Sequence, residues 1–517
     1  MSKQELSIQL LSDNMQKSLG RKDKIIEDLI AQNEASNNTI KLLEQKIDYL
    51  LRQQFLSKSE KLPDGQLSLF ADLENKEVEE EKQEEIRVEY TRAKGGKRKP
   101  PEHLPRVRVE HDISDEEKIC SCGCMKKVIR EIITEQYDVI PATFQVIQNV
   151  RFVYACSSKC GVGPRTTPLT PQMLPKYQVT PSFLATIATQ KFEDHLPLYR
   201  QVKIYNSRFD MDFTTSTFSN WIIKGYELVL IYMINVLNEI LLQSDYIQAD
   251  ETTLQVLNEE ERKAKQKSYI WVRGTTVNQK IVLMDYSPTR AKFNANKIFK
   301  GFEKGYLQTD GYAGYNDIAN KPDIEQLGCW AHVRRKFTDT VKNSKVDDKS
   351  KIMASNMILK IRKLYKVEKE IKDDPPDKKQ RIREERSKPV IDDIRLYIDE
   401  YIDTAIKLDG YIKKAFVYIN NQFPKLIVYL KDGRLNIDNN VAENHVRPIA
   451  VGRKNWLFAK STNGAKALVN WYSIIETAKM NNVDPYKYLT HILTQIPIYR
   501  YENKPLEDLL PWNVNLD

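Results

Sequence analysis

Three acidic residues stand in positions that suit metal-dependent phosphodiester chemistry. Asp250 and Asp310 each end a β-like run of residues, and Glu443 lies in a helix-like run. Strand ends and a nearby helix can bring three carboxylates together, and Mg²⁺ or Mn²⁺ prefers carboxylate oxygens with retained water. Two such ions about 4 Å apart can activate an attacking oxygen and stabilise a leaving oxygen. The pattern therefore predicts a two-metal site formed by these residues.

Each of these residues has a simpler interpretation when it is considered alone. An aspartate after a strand often caps a helix or closes a turn, and the glycine after Asp310 favours a turn. Asp285 also ends a β-like run, which makes it the main alternative ligand. Glu251 is a second alternative, but as the strand neighbour of Asp250 it is expected to point to the opposite face.

Five of the six cysteines form two clusters. The first has the pattern C-x-C-x-C and the second the pattern C-x₃-C, and the residues are Cys120, Cys122, Cys124, Cys156 and Cys160. A structural Zn²⁺ takes four thiolates in a tetrahedron, so one of the five is spare. The spacing predicts one structural zinc; the alternative is a set of unconnected core cysteines.

Basic charge is concentrated in one short segment. The chain has 80 basic and 71 acidic residues, and this net charge of +9 favours a polyanionic partner only mildly. A purely basic segment follows a glutamate-rich one, however, and it contains Arg92, Lys94, Lys97, Arg98 and Lys99. We predict that this segment is an arm that contacts DNA. A solvated linker is the alternative.

Further DNA contacts are predicted close to the acidic residues. The residues concerned are Arg334, Arg335, Arg447, Arg453, Lys454 and Trp456. The basic side chains would contact phosphates, and the tryptophan would stack on a base. A solvated helix end and a core tryptophan are equally compatible with the pattern. His332 could also contact DNA, although a lone histidine is more often structural.

The elements that must position these residues indicate an α+β multidomain protein. Residues 245–340 show the order β-β-β-α-β-α, which is that of an RNase H-like domain. Residues 341–420 are charge-rich and helix-patterned, with a break at Pro375 and Pro376. Glu443 lies beyond them, in 421–480. We therefore predict an RNase H-like catalytic domain that is split by a helical insertion.

Four segments are predicted before this domain and one after it. Apolar residues at heptad spacing over 22–56 indicate a coiled coil within 1–56, and Asn33 in its seam favours a parallel pair. A single amphipathic helix packed on the same chain is the alternative. A linker at 57–110, a zinc-binding β module at 111–170 and a helical, DNA-binding region at 171–244 follow. Residues 481–517 are predicted to be a C-terminal tail.

Two classes of protein are disfavoured by the sequence. No run approaches the ~18 apolar residues of a membrane span, and the N-terminus lacks the apolar segment of a signal peptide. We therefore expect a cytoplasmic protein with no membrane partner, whose cysteines are reduced.

Several motifs, in the same order, resemble the transposases of the insertion sequence 66 family over nearly the whole chain. The N-terminal matches are at 59–62, 66–70 and 99–106, followed by the cysteine clusters and the segment 195–201 (H-L-P-L-Y-R-Q). The later matches are at 249–252 (A-D-E-T), 309–312 (T-D-G-Y), 329–337 (C-W-A-H-V-R-R-K-F) and 435–458. Motifs that agree in order are far more specific than any single one.

The resemblance implies a DDE transposase with Asp250, Asp310 and Glu443 as its catalytic, metal-binding triad. It implies hydrolysis of a phosphodiester at each element end, attack of the freed 3′-OH on target DNA, and two Mg²⁺ or Mn²⁺ ions per site. It also implies one structural Zn²⁺, with Cys124 as the spare thiol because the family's second ligand precedes a glycine, as Cys122 does.

The expected partners are double-stranded DNA, at the terminal inverted repeats and the target, and further copies of the chain in a dimer or higher oligomer. Accessory proteins of the same element are possible partners, and a bacterial cytoplasm with association to the nucleoid is the expected location. Two alternatives stay open. One is an RNase H-like nuclease without strand transfer, and the other is a non-catalytic zinc and coiled-coil DNA-binding protein.

Overall fold

The structure is a computed structural model, and it describes residues 143–154, 165–166, 168–408 and 410–516 with the isolated positions 106, 108, 133 and 136. The chain divides into two units, Met1–Ile140 and Pro141–Asp517, and every element below belongs to the second. The predicted coiled coil, the basic arm and the five clustered cysteines lie outside the described residues.

The described chain opens with a short hairpin-like pair and a group of helices. Strands β1 (Val153–Tyr154) and β2 (Arg165–Thr166) pair antiparallel. The helices are α1 (Pro181–Phe192), α2 (Leu198–Phe209), α3 (Thr215–Gly225) and α4 (Ile231–Leu242), and a π-helical turn, Tyr226–Leu230, joins the last two. Thr180 and Thr214 cap α1 and α3 with their side chains, as their positions before apolar runs predict. These helices cover most of the segment 171–244, beginning at Pro181.

One described stretch, Thr215–Leu242, is long and apolar enough to cross a membrane on length and composition alone. Its side chains supply Leu230, Met233, Leu237 and Leu241, each fully buried in the protein core. A helix that buries apolar residues inside a globular core has this same composition. No membrane role is therefore indicated by this helix.

A mixed sheet forms the centre of the fold. Its strands are β3 (Tyr246–Asn258), β4 (Lys267–Thr275), β5 (Ile281–Ser287), β6 (Gly305–Gln308) and β7 (Ile324–Leu327). They lie in the order β5-β4-β3-β6-β7, in which the first three are antiparallel and the pairs β3–β6 and β6–β7 are parallel. A short strand, β8 (Ala459–Ser461), pairs with the far end of β3.

The end of the first strand was predicted wrongly. The strand was expected to end at Asp250, but β3 continues to Asn258, and Asp250 lies opposite Val272 of β4. The β-branched residues Thr252, Thr253 and Val256 favour continued pairing, and the acidic pair before them hides this signal. The aspartate therefore lies inside a long strand.

Helices cover the sheet and form the predicted insertion. After α5 (Lys292–Ile298) and α6 (Asn316–Ala319), the insertion helices begin with α7 (Trp330–Lys342), which starts before the predicted bound of 341. They continue with α8 (Asp348–Glu370), α9 (Pro376–Ile382), α10 (Lys388–Lys407) and α11 (Tyr411–Leu426). The predicted break at Pro375 and Pro376 lies between α8 and α9. The insertion helices bury Phe337, Ile361 and Phe416 in a core of their own, together with residues of β7 and its neighbours.

Three helices complete the fold: α12 (Asn440–Trp456), α13 (Thr462–Met480) and α14 (Pro485–Tyr501). Helix α13 covers the edge of the sheet, because Ser473 Oγ accepts from Met284 N at 2.8 Å and Thr477 Oγ1 donates to Val282 O at 2.9 Å. The segment predicted to be a tail contains α14, whose apolar residues are buried against α1 and α13.

Candidate active site

Asp250 and Asp310 occupy matching positions on neighbouring strands. Gln248 of β3 and Gln308 of β6 are register partners in a parallel pair, and each aspartate lies two residues beyond its glutamine. Asp310 leaves the strand in a turn, where its Oδ1 accepts from Tyr312 N at 2.9 Å. The strand register therefore brings the first two predicted carboxylates to the same edge of the sheet.

Glu443 lies in the first turn of α12 and has an arginine and a histidine beside it. Its Oε2 accepts a hydrogen bond from Arg335 at 3.0 Å, and its Oε1 lies 3.5 Å from His332 Nδ1. The glutamate side chain is 24% exposed, and that of Arg335 is 55% exposed. The third carboxylate therefore faces solvent in part and is held by residues of α7.

The three carboxylates share one electrostatic environment. The pKa of Asp250 is raised from 3.8 to about 7, mainly because the carboxyl is buried. The negative charges of Glu251, Asp310 and Glu443 raise this pKa further, against a hydrogen bond from Glu251 N that lowers it. A concentration of negative charge favours divalent cations, although Arg335 already pairs with Glu443 here. The donor set of three carboxylates fits Mg²⁺ or Mn²⁺.

Asn439 connects the glutamate helix to the strand that carries the first aspartate. Its side chain is fully buried, and its Nδ2 donates to the backbone oxygen of Ala249 at 2.8 Å. Its backbone N–H donates to Cys329 Sγ at 3.2 Å. Because Ala249 directly precedes Asp250 and Asn439 lies four residues before Glu443, these bonds fix the start of α12 relative to the aspartate.

A network of buried side-chain amides also holds the loop before α12. Gln308 Nε2 donates to Asn436 O at 2.9 Å, and Gln248 Nε2 donates to Asp438 O at 3.3 Å. The two glutamines also bond each other at 2.7 Å, with Gln248 Nε2 as donor. Both glutamines come from the register pair beneath the aspartates, so one network orders both strands and the loop before α12.

The position of Asp310 is fixed by the helical insertion. Tyr418 of α11 donates from its hydroxyl to Asp310 O at 2.6 Å. The next residue, Gly311, has a φ of 89°, and a Cβ there would lie 2.9 Å from Gln422 Oε1. A side chain at this position would be strained by its backbone and crowded by α11. The insertion therefore packs directly against the turn that presents this aspartate.

The two alternative acidic residues have structural partners. Asp285 Oδ2 accepts from Arg273 at 2.8 and 3.0 Å, and this arginine is almost fully buried. Glu251 pairs with Arg290 and accepts from Tyr315 Oη at 2.9 Å. Each of these carboxylates is paired with an arginine, but so is Glu443 with Arg335, so this pairing alone does not separate them from the predicted triad.

Some of the residues predicted to contact DNA are exposed, and others already contact protein side chains. Arg447 and Lys454 are exposed on α12. Arg334 stacks over Tyr365, with its guanidinium 4.7 Å from the ring centre, and Arg453 donates to Thr253 Oγ1 at 3.1 Å.

Trp456 is not placed for base stacking. Its side chain belongs to the apolar core and the residue is only 9% exposed. Lys191 lies over its ring, 5.7 Å from the centre. The stacking interpretation is therefore corrected to the core-tryptophan alternative, because the ring has no free face for a base.

Four functional residues were missed at the sequence level: Gln248, Gln308, Tyr418 and Asn439. Each acts by positioning an aspartate or the glutamate helix. Three of them, Gln248, Gln308 and Asn439, lie within a motif that carried the family resemblance or directly before one, so their sequence positions gave some signal of a role near the site. Their partners lie too far away in sequence for any local pattern to identify them.

The raised pKa of Asp250 predicts how stability depends on pH and metal. Because its folded pKa of about 7 exceeds its ordinary value of 3.8, the metal-free protein loses stability as the pH rises through this window, by up to ~1.4 kcal/mol per unit. Mg²⁺ binds the ionised form, so it should raise the melting temperature more at pH 8 than at pH 6. Asp250→Asn should remove this difference. Equal Mg²⁺ shifts at both pH values in the unmodified protein would contradict the assignment.

Family models match nearly the whole chain. The model described as "Transposase IS66 family" matches residues 176–467, and the "IS66 C-terminal element" matches 473–512. The "zinc-finger binding domain of transposase IS66" matches 117–161. The model described as "Transposase C of IS166 homeodomain", a leucine-zipper model, matches 42–109 and overlaps the end of the predicted coiled coil. The segment 481–517, which was predicted to be a C-terminal tail, thus overlaps the region matched by the IS66 C-terminal element.

Two relatives from Sinorhizobium fredii (strain NBRC 101917 / NGR234) align over most of their length. The "Uncharacterized protein y4qI" is 30% identical over 458 residues, which cover 84% of this chain and 81% of the relative. The "Uncharacterized protein y4jD" is 27% identical over 437 residues, which cover 81% of this chain and 82% of the relative. The similarity therefore covers about four fifths of this chain and of each relative.

Proposed function

The chain belongs to the IS66 family of transposases, and from that premise we propose that it cuts DNA at the ends of its own insertion sequence and joins the freed 3′-OH ends to target DNA. The observation that supports this proposal is that Asp250 and Asp310 follow register partners on two neighbouring strands, while the charges of Asp310 and Glu443 both raise the pKa of Asp250. Family membership supports a DNA-processing enzyme, and the carboxylate cluster supports the phosphodiester chemistry.

The residues have separate tasks in this proposal. Asp250, Asp310 and Glu443 hold two Mg²⁺ or Mn²⁺ ions. Such ions, when bound, stabilise the charge that develops on the attacking and leaving oxygens. The paired glutamines Gln248 and Gln308 would fix the separation of Asp250 and Asp310. Asn439 would fix the position of the helix that carries Glu443. Preorganised ligands avoid reorganisation during the reaction, which is where a rigid protein lowers the barrier.

We propose that the sheet and its helices form an RNase H-like domain. In chain order the five strands lie as 3-2-1-4-5, with three antiparallel strands followed by two parallel ones. The first aspartate lies on the first strand, the second follows the fourth strand, and the glutamate lies on a helix after the sheet. This order supports the assignment, with α7–α11 as an insertion before the glutamate.

The exposed basic residues supply a surface for the DNA backbone near the carboxylates. Arg335 lies on Glu443 itself, and Arg447 and Lys454 extend along α12. In this proposal they neutralise phosphates and position the strand without reading its sequence. The protein acts on DNA in the bacterial cytoplasm.

A strand-transfer assay tests the proposal. The full-length protein is incubated with linear DNA carrying the terminal repeats of its element, a supercoiled target plasmid and Mg²⁺. Transposition predicts cut ends and their covalent joining to the plasmid. Cut ends without joined products would favour a nuclease without strand transfer, and binding without cutting would favour the non-catalytic alternative; both results would overturn the proposal.

The zinc assignment gives a prediction that compares two cysteine variants. Cys156→Ser should lose about one zinc per chain, because a structural site needs all four of its ligands. Cys124→Ser should keep its zinc, since Cys124 is expected to be the spare thiol. Metal analysis of both purified variants provides the measurement. Retention of zinc by Cys156→Ser would exclude this residue as a ligand, and loss by Cys124→Ser would include the supposed spare.

The coiled-coil assignment gives a prediction about assembly. Removing residues 1–56 should lower the oligomeric state and impair the complex of two paired element ends, because an apolar heptad seam needs a partner. The catalytic domain should still fold. Light scattering and gel-shift assays with paired ends provide the measurements. Unchanged mass and normal pairing of ends in the truncated protein would show that the seam packs on the chain itself.

A further inference from the structure

A second group of potential metal ligands lies beside the carboxylates. Cys329 Sγ, His332 Nδ1 and a carboxylate oxygen of Glu443 all lie within 4.8 Å of one another. Cys329 is the N-cap residue directly before α7, and His332 lies in the first turn of that helix. A thiol, an imidazole and a carboxylate form a donor set quite different from the three carboxylates of the proposed catalytic site.

Two of these ligand atoms have no hydrogen-bond partner among the described residues. His332 Nδ1 and Glu443 Oε1 are both buried atoms, and they face each other at 3.5 Å. The other polar atom of each side chain contacts Arg335. The guanidinium lies 3.3 Å from His332 Nε2 and donates to Glu443 Oε2 at 3.0 Å. Unsatisfied buried polar atoms are costly. The arginine thus orients two unsatisfied atoms toward the same point.

The Cys329 sulfur is buried, and this burial raises the pKa of its thiol to about 12, so a thiolate is favoured there only with a bound cation. Cys329 Sγ accepts a hydrogen bond from Asn439 N at 3.2 Å and lies at the N-terminus of α7. Backbone N–H groups and a helix N-terminus both stabilise negative charge on sulfur. A bound cation would remove the remaining cost of burying that charge.

We propose that Cys329, His332 and Glu443 bind one thiophilic divalent cation, Zn²⁺, at a site that shares only Glu443 with the two-metal site. Three protein ligands of mixed N, O and S type leave a fourth tetrahedral position for a water molecule. Binding forms the metal–sulfur bond, breaks the S–H bond and releases its proton to solvent, with no change in oxidation state. Sulfur makes the site selective for Zn²⁺ over Mg²⁺.

The site has a regulatory consequence that rests on the proposed function. Glu443 belongs to both donor sets, and Zn²⁺ on Oε1, with Arg335 on Oε2, occupies both of its oxygens. The glutamate is then withdrawn from Asp250 and Asp310. Zn²⁺ at this site therefore inhibits cleavage, and the inhibition acts through Cys329 and His332, which are not part of the catalytic triad.

Cobalt binding tests the site without any measurement of activity. Full-length protein whose zinc finger already holds Zn²⁺ is titrated with Co²⁺, and thiolate-to-cobalt absorption is recorded. The unmodified protein should bind one Co²⁺ with this absorption, and Cys329→Ser should lose it. His332→Asn should weaken binding at least tenfold, and His491→Asn, a histidine change on α14, should leave it unchanged. Melting curves confirm that each variant is folded, and His332→Asn serves if Cys329→Ser does not fold.

Equal thiolate-to-cobalt absorption in the unmodified protein and Cys329→Ser would overturn the site, whatever the outcome for transposition. The regulatory step is tested by the ratio of cleavage rates with and without Zn²⁺ at fixed Mg²⁺. This ratio should rise toward one in His332→Asn. Undiminished inhibition in that variant would show that Zn²⁺ acts elsewhere, for example by displacing Mg²⁺ from the triad. A protein that binds Co²⁺ as expected but never cleaves DNA would instead refute the proposed function alone.

Discussion

Asp250→Asn is expected to reduce Mg²⁺-dependent cleavage of element ends by about 10³-fold while leaving DNA binding nearly unchanged. Loss of a ligand that holds the metal ions removes roughly 4 kcal/mol of transition-state stabilisation. Asparagine keeps the size of the side chain but lacks the negative charge that the ions require. Cleavage rates and gel-shift affinities of the two proteins provide the measurement.

The matched control for this change is Asp317→Asn. Asp317 is another aspartate of the same unit, but it lies at the surface and pairs with Lys292. Its replacement should alter cleavage by less than a factor of about two, as expected of an exposed ion pair.

At pH 8 the metal-free Asp250→Asn protein should also be at least as stable as the unmodified protein, because a buried charge has been removed. Substantial Mg²⁺-dependent cleavage by folded Asp250→Asn would refute the triad.

Asn439→Ala is expected to lower the cleavage rate by about 10²-fold, because a small misplacement of a reacting group has an effect of that size. The change removes the hydrogen bond to Ala249 O and leaves that buried oxygen unsatisfied. The start of α12 is then free to shift, and Glu443 shifts with it. A positioning role predicts a lower kcat, a weaker apparent affinity for Mg²⁺ and partial rescue at high Mg²⁺ concentration.

Asn470→Ala is the matched control for Asn439→Ala, because it also removes a buried side-chain amide. Asn470 is 9% exposed, and its Nδ2 donates only along its own helix, to Lys466 O at 2.7 Å. We expect this variant to lose some stability and to keep its dependence on Mg²⁺. If both variants lose activity in proportion to stability, with no change in the Mg²⁺ dependence, Asn439 has only a structural role.

Local patterns predicted much of the framework of this site. Alternating apolar residues predicted the five main strands, and the proline pair correctly predicted a break between insertion helices. The frames around Asp250, Asp310 and Glu443 predicted the three carboxylates, and in the structure the charges of Asp310 and Glu443 both raise the pKa of Asp250. These signals are local, because strand and helix patterns depend on neighbouring residues.

The remainder depends on contacts between distant residues. Asn439 and Ala249 are 190 positions apart, so no window of sequence relates the loop before α12 to β3. The burial of Trp456 depends on packing between α12 and α1, whereas the basic residues around it suggested an exposed surface. The predicted end of β3 was wrong because pairing with β4 continues past the polar residues Asp250 and Glu251.

The position of Mn²⁺ in crystals of the protein bound to an element end tests the central claim most directly. Anomalous scattering should show Mn²⁺ coordinated by the carboxylate oxygens of Asp250, Asp310 and Glu443, next to the scissile phosphate. The same crystals grown from Asp250→Asn should show weaker or absent peaks there. Mn²⁺ beside the scissile phosphate but held by other residues, with these three carboxylates free of metal, would contradict the account.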